Sequence, residues 1–480
     1  MISRILGFVR DILIARLFGA DAGTDAFLVA FKIPNFMRRL FAEGAFSQAF
    51  IPVLAEYKEK RDLAAVRQLV QRTAGTLGGV LFVVSMIGVI GAPLLILLFA
   101  PGFAGDEAKL DLASEMLMLT FPYLFFISLV ALAGGVLNTF GKFGVPAFTP
   151  VFLNLSLIGC AIWLAPHMHE PITALAWGVL IAGVVQLLFQ LPYLMQLGVL
   201  GLPKWGAHDE GVKRIMTLMV PAILGVSVVQ INLLLDTIIA SFLETGSVSW
   251  LYYSDRLVEF PLGVFGIALA TVVLPMLSKQ NAREDSQGFS ETMDWALRWV
   301  FLLGVPAALG LILMAGPLQA TLFFYGAFGE HDLHMASMSM MAYSVGLLGF
   351  ILVKVLAPAF YSRQDTKTPV KIAIKAMIAN MVLNMLFVLP MVHYDIPGAH
   401  SGLALATALA AFLNAWLLFY MLRKEQVFEL QCGWLLFLLR IGLGAAAMVA
   451  VLYLYSPPIE QWMAWGGWER AFWLMVWVSA

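Results

Sequence analysis

Ionisable side chains are few in this sequence and unevenly placed. Arg4, Arg10, Asp11 and Arg16 fall in a first apolar stretch, and Asp25, Lys32, Arg38, Arg39 and Glu43 in a second. Asp236 lies in a later one, and Asp255, Arg256 and Glu259 open the stretch that follows. At about 100° per residue, Asp25, Lys32, Arg39 and Glu43 fall within roughly 40° of one another on a straight helix, with Arg38 about 100° from Arg39. Pro34 is placed to bend that helix. Asp255 and Glu259 stack at i, i+4, and Arg256 reaches Glu259 at i, i+3. Arginine outnumbers lysine in the set, and its planar fork suits bidentate recognition of phosphate or carboxylate. The chemistry these residues point to is capture of an anion.

The surroundings of these charges give them their weight. Of 480 residues, 61% are hydrophobic and 12% charged, and mean hydropathy is +0.87. Soluble domains average about 45–50% apolar and roughly 25% charged, so this chain is a membrane protein. An ionisable residue at the centre of a spanning helix costs at least about 2.5–3.5 kcal/mol, which makes it a functional candidate. Mutual pairing would account for any single pair, but the set carries a cationic excess. A face of this kind must line protein or a water-filled cavity, and its sign suits an anionic substrate.

Other signals point to no chemistry. The net charge of −1 says nothing about partners, and nothing in the chain points to nucleic acid. Cys160 and Cys432 lie far apart in or beside apolar segments and read as small core hydrophobes. His167-Met168-His169-Glu170 and Glu330-His331-Asp332-His334 resemble ligand clusters but fall in short connections, where a solvated loop explains them. No metal, cofactor or catalytic residue is expected, because P-loop, GxSxG and HExxH patterns are absent. Gly78-Gly79 and Gly134-Gly135 read as sites of close helix packing. The start, Met1-Ile2-Ser3-Arg4, has no features of a cleavable signal peptide.

Apolar stretches fall near 4–20, 24–50, 72–100, 112–138, 146–165, 172–197, 215–243, 249–277, 296–318, 335–360, 370–390, 401–421, 434–455 and 464–480. Each is near the roughly 20 residues that span a bilayer, which predicts an all-α polytopic fold of about 14 transmembrane helices. Lys and Arg gather in alternate connections: Lys58 to Arg67, Lys142, Lys204 to Arg214, Lys279 and Arg283, Arg363 and Lys367, and Arg423 and Lys424. By the positive-inside rule, both termini and the 56–71 segment are expected in the cytoplasm. The sequence also repeats itself. AFSQAFIPVL at 45–54 aligns with ALATVVLPML at 268–277, Ala113-Ser114 with Ala336-Ser337, and Pro146 with Pro369, all at an offset of 223. Two six-helix lobes related by a parallel repeat follow, 1–200 and 210–424, with two extra helices at 432–480.

Three stretches carry a specific likeness: TDAFLVAFKIPNFMRRLFAEGAFSQAFIPVLAEY (24–57), SVSWLYYSDRLVEFPLGVFGIALATVVLPMLSK (247–279) and VKVLAPAFYSRQDTKTPVKIA (353–373). They closely resemble the signature of the MurJ/MviN lipid II flippases, within the multidrug/oligosaccharidyl-lipid/polysaccharide exporter superfamily, and the likeness runs over essentially the whole chain. The resemblance implies a transporter, not an enzyme. It would flip lipid II, the undecaprenyl-diphosphate-linked peptidoglycan precursor, across the bacterial inner membrane by alternating access through a cationic central cavity. It also implies that helices 13 and 14 form a groove for the polyprenyl tail. Arg4, Arg10, Arg38 and Arg256 occupy the positions of the family's cavity arginines, and Asp25, Glu43 and Ser249 match other cavity positions. Asp11 beside Arg10, with Lys32, Arg39, Asp255 and Glu259, would tune the charge. Contact with cell-wall synthesis machinery is a further expectation. A multidrug or ion-coupled antiporter, or a polysaccharide-lipid flippase, is the alternative within the superfamily, but a carrier of cationic drugs calls for acidic and aromatic cavity residues. A membrane glycosyltransferase or polymerase calls for a large periplasmic loop with catalytic carboxylates, and the predicted periplasmic loops are all short.

Overall fold

A computed structural model describes residues 2–40 and 46–479, without the side chains of 220–233. The described residues form helices and turns with no strand. Ten helices among them are long and apolar enough to cross a bilayer: Leu63–Ile90, Glu107–Thr139, Gly144–His167, Thr173–Gln196, Ser247–Ala282, Ser286–Leu313, Glu330–Tyr361, Lys367–His393, His400–Lys424 and Trp434–Tyr455. They coincide with ten of the fourteen stretches read from the sequence.

The remaining four differ for separate reasons. Ile2–Phe18 has 17 residues, roughly 26 Å of helix at 1.5 Å per residue, just under the ~30 Å of hydrocarbon. The second runs as Ala22–Met37, a π-helical turn at 38–40 and then Ser47–Lys60, and it is dense in charge. Glu210–Ala240 has 31 residues, but much of its middle is described by backbone alone. Gly467–Ser479 has 13.

Helices also run beyond their apolar parts, because hydropathy registers the lipid-facing length while capping sets the ends. Asp62 accepts from the Ala65 amide (3.0 Å), Asp106 from Lys109 (3.1 Å), Asp209 from Gly211 (3.0 Å) and Asp285 from Gly288 (2.8 Å). Each carboxylate satisfies an orphan amide of a first turn. The connection expected at 56–71 is therefore nearly all helical, with only Arg61 and Asp62 between Ser47–Lys60 and Leu63–Ile90.

The chain packs as two units, Met1–Gly246 and Ser247–Ala480. The packing boundary lies one helix beyond the sequence repeat, because Glu210–Ala240 packs against Ser47–Lys60, Leu63–Ile90 and Ala92–Phe99 of the first unit. The core of the first unit includes Phe27, Phe46, Phe50, Phe103 and Tyr123, and that of the second Trp250, Tyr253, Phe323, Phe328, Phe360 and Trp462. Close approach rests on small residues: a Cβ on Gly135 would meet Phe50 at 3.3 Å, and one on Gly349 the Phe412 backbone at 2.9 Å.

The duplication is built into the local structure. Leu63–Ile90 returns 223 residues later as Ser286–Leu313, and Ala92–Phe99 as Ala315–Leu322. Ser114 donates to the Leu110 carbonyl (2.7 Å) as Ser337 does to Leu333 (2.6 Å). The turn that closes Lys142 N–H on Leu137 O (2.8 Å) is repeated by Asp365 on Phe360 (3.0 Å).

Candidate functional site

The first unit holds most of the buried charge. Arg10 and Asp11 are 5% and 1% exposed. The Arg10 guanidinium donates to Asp11 Oδ1 through Nε (2.9 Å) and Nη2 (2.6 Å), and through Nη1 to Asn154 Oδ1 (3.1 Å). Asn154 Nδ2 in turn donates to the Ser3 carbonyl at 2.9 Å. The first helix is thereby fastened to Pro150–Gly159 by a neutralised polar cluster. Arg4 and Arg16, on the same helix, are exposed.

Asp25 is 1% exposed and accepts from Lys109 Nζ (3.0 Å) and the Gly246 amide (2.8 Å), both at Oδ2. Lys109 is itself buried, with its ammonium 4.5 Å from the centre of the Phe103 ring. Seven residues along, Lys32 donates to Thr237 Oγ1. Asp25 and Lys32 therefore do share a face, and it looks toward Glu210–Ala240 and the turn after it. Arg39 does not join them: it is exposed, in the π-helical turn that follows Pro34. Arg38 is half-buried and donates from Nε to Asn35 Oδ1 at 2.9 Å. Glu43 lies outside the described residues.

In the second unit, Arg256 donates to Glu259 Oε2 (3.1 Å) and to the Tyr252 hydroxyl (3.4 Å from Nε), over whose ring it sits at 5.2 Å. The pair is open, with the side chains 37% and 51% exposed. Asp255 is exposed, whereas Ser249 is fully buried.

Sequence reading missed several residues that the fold makes central. Lys109, beside Asp106 and Glu107 and between two predicted spans, has the sequence context of a loop cation, yet it sits in the first turn of a spanning helix. The Glu330-His331-Asp332-His334 cluster read as a solvated loop. It is the first turn of Glu330–Val345, and Asp332 there accepts from the Gly329 amide (3.0 Å) and the buried Trp250 indole (2.9 Å). Arg470 passed unnoticed. It is 6% exposed and donates to the carbonyls of Ala320 (3.1 Å), Phe324 (2.9 Å), Trp462 (2.8 Å) and Met463 (2.8 Å). Asp294 gathers the Gln431 amide (3.0 Å), the Trp434 indole (2.5 Å) and Arg298 (2.6 Å). These two clusters attach the last two expected spans to the second unit. Each of these charges has another within four residues, so nothing in the local sequence singled it out. Of the cysteines, Cys160 is buried and Cys432 exposed. Among the described residues no three His, Cys, Asp or Glu converge as a metal site.

Outside the spans, two carboxylates among the described residues are perturbed. Glu56 is held below its ordinary value by hydrogen bonds from Arg214 (2.7 Å) and Lys60 (3.2 Å). Asp365 is lowered chiefly by a hydrogen bond from the Thr368 side chain and next by the Thr368 amide, which donates to it at 3.0 Å.

Ten apolar spans, with ion pairs and charge-assisted hydrogen bonds buried among them, define a multi-pass helical membrane protein. The family described as lipid II flippase MurJ matches residues 14–466, and the chain belongs to it. It is 51% identical to a probable lipid II flippase MurJ of Vibrio cholerae, covering 98% of this chain and 90% of that one. It is 49% identical to the Haemophilus influenzae counterpart, over 100% and 94%. A solved lipid II flippase MurJ in an inward closed conformation superposes with a TM-score of 0.82 at 26% identity, covering 99% of this chain and 94% of that one.

Proposed function

We propose that the protein carries lipid II from the cytoplasmic to the periplasmic leaflet of the bacterial inner membrane, with both termini in the cytoplasm. The observation that carries this reading is the near full-length kinship with proteins named for that activity. The Lys/Arg alternation supports the orientation. A flippase makes and breaks no bond, so its residues need only hold and release the headgroup.

In this reading the arginines divide by accessibility. Arg4, Arg38 and Arg256, exposed or half-buried, meet the diphosphate and sugar, and Glu43, outside the described residues, is assigned to the same task from the family resemblance alone. Arg10, neutralised by Asp11 and tied to Asn154, positions the first helix. Asp25 and Ser249, fully buried, act as positioning residues as well. Lys32, Arg39, Asp255 and Glu259 adjust the local charge, and the helices after 432 receive the polyprenyl tail. Contact with cell-wall synthesis enzymes would follow delivery of the substrate.

The test is complementation of a host depleted of its own flippase. Wild type should restore growth, and Arg256→Ala should not. If Arg256 only balances Glu259, the double variant Arg256→Ala, Glu259→Ala recovers, since no unpaired charge remains. If Arg256 holds substrate, the double variant stays inactive at normal membrane level. Failure of wild type itself, when inserted at normal level, would overturn the lipid II reading.

A further inference from the structure

We propose that the first unit carries a binding slot for an anionic phospholipid of the surrounding leaflet, separate from the residues assigned to the transported substrate. The slot is a cavity of about 610 Å³ lined by Thr76, Val80, Trp205, Ala207, Lys213 and Met216, with Thr217 beside them. Its walls are Leu63–Ile90, the strap at 199–209 and the start of Glu210–Ala240.

The strap is held flat along its helix by contacts that leave no slack. Its Lys204 amide donates to Gln71 O (3.0 Å) and its Gly206 amide to Thr76 Oγ1 (3.0 Å), and Arg72 is paired with Asp209. Gly75 and Gly79, one turn apart, make room for it. A Cβ on Gly75 would lie 2.2 Å from Lys204 O, and one on Gly79 2.8 Å from the Trp205 ring. The indole is thereby fixed as a wall and still 64% exposed.

Depth and charge identify the occupant. Arg72 is the last charge on its helix, and residues 73–90 carry none. At 1.5 Å per residue those 18 residues match the roughly 30 Å hydrocarbon layer, so Thr76 lies about one turn inside it and Val80 about two. An exposed tryptophan is characteristic of that interface. Beyond the slot, Phe82, Val83, Met86 and Ile87 form an exposed apolar strip that faces acyl chains. At the mouth Lys213 has no side-chain partner among the described residues. Of the neighbouring acids, Asp209 is paired with Arg72, and Glu210 lines a different cavity with Lys60 and Arg214. A chain in the slot with its phosphate at Lys213 satisfies both halves.

The full-length protein in detergent, titrated with phosphatidylglycerol or with phosphatidylethanolamine of the same acyl chains and read by native mass spectrometry, tests this. Wild type should hold one phosphatidylglycerol in preference. Lys213→Ala should lower that preference about fivefold, the worth of one basic side chain near a phosphate. Ala207→Trp, which fills the slot, should abolish retention of either lipid. Melting temperature and monodispersity exclude misfolding, and Met216→Trp is a second filling variant should Ala207→Trp unfold. Equal retention of the two lipids by wild type, or retention unchanged in a folded filling variant, overturns the proposal.

Discussion

The two units solve one problem differently at equivalent positions. In the first, the opening turn of Glu107–Thr120 offers Lys109 to Asp25 of the second helix, a buried ion pair. In the second, the opening turn of Glu330–Val345 offers Asp332, 223 residues later, and its partner is the neutral indole of Trp250. The scaffold was retained and the chemistry of the cross-link changed. A buried ion pair costs heavily when one partner is removed, since the other charge is left unsolvated. A neutral donor to a carboxylate is cheaper to lose. The first unit therefore depends on charge complementarity between helices, and the second on packing with hydrogen bonds between a charged group and neutral ones.

The largest expected effect breaks the ion pair. Asp25→Ala should destabilise by about 3–5 kcal/mol, and adding Lys109→Met should return most of it. Thermal unfolding in detergent checks this; additive losses would mean that the two do not act as a pair. Arg470→Met comes next, at the upper end of about 1–3 kcal/mol in all, because the carbonyls of Ala320, Phe324, Trp462 and Met463 lose a common donor but each keeps a second lone pair for other partners. Hydrogen exchange should rise over 459–479 and stay unchanged in the first unit. Trp250→Phe should cost about 1–3 kcal/mol, less than Asp25→Ala. The reverse order would invert the comparison.

A smaller gain is expected where the copies share a left-handed backbone but differ in residue. Gly141 closes its helix at φ +77, and Gln364, its counterpart 223 residues on, does so at φ +62. The left-handed region suits glycine and strains other side chains, so Gln364→Gly should stabilise by about 0.5–1 kcal/mol, read as a raised melting temperature. The smallest effect concerns pH. Glu56 has a folded pKa below the ordinary 4.5 because Arg214 and Lys60 bond its carboxylate. Its contribution is complete above that ordinary value and is lost as pH falls through the lower folded one. The stability difference between wild type and Glu56→Gln should be flat above about pH 5.5 and shrink below about pH 4.5.

Much of this was legible in the sequence. Composition gave the membrane class, the apolar stretches gave the spans, and the 223-residue offset appeared in a few motifs before it appeared in helix bounds. Arg256 with Glu259 was readable because i, i+3 spacing fixes a contact within one helix. Asp25 with Lys109 was not, because its partners lie 84 residues apart and no local period links them. Lys109 looked solvated beside Asp106 and Glu107 for the same reason.

Periodicity, capping and hydropathy are local, so the sequence alone determined which segments are helical, and comparison of its two halves showed their repeat at an offset of 223. Tertiary structure decided which charges are spent on one another. It buried Arg10 with Asp11 and Asn154, left Arg4 exposed on the same helix, and packed Glu210–Ala240 with the first unit although the repeat assigns it to the second. Those outcomes depend on which helix faces which across the bundle. In a medium without water, each buried polar group must find its partner there.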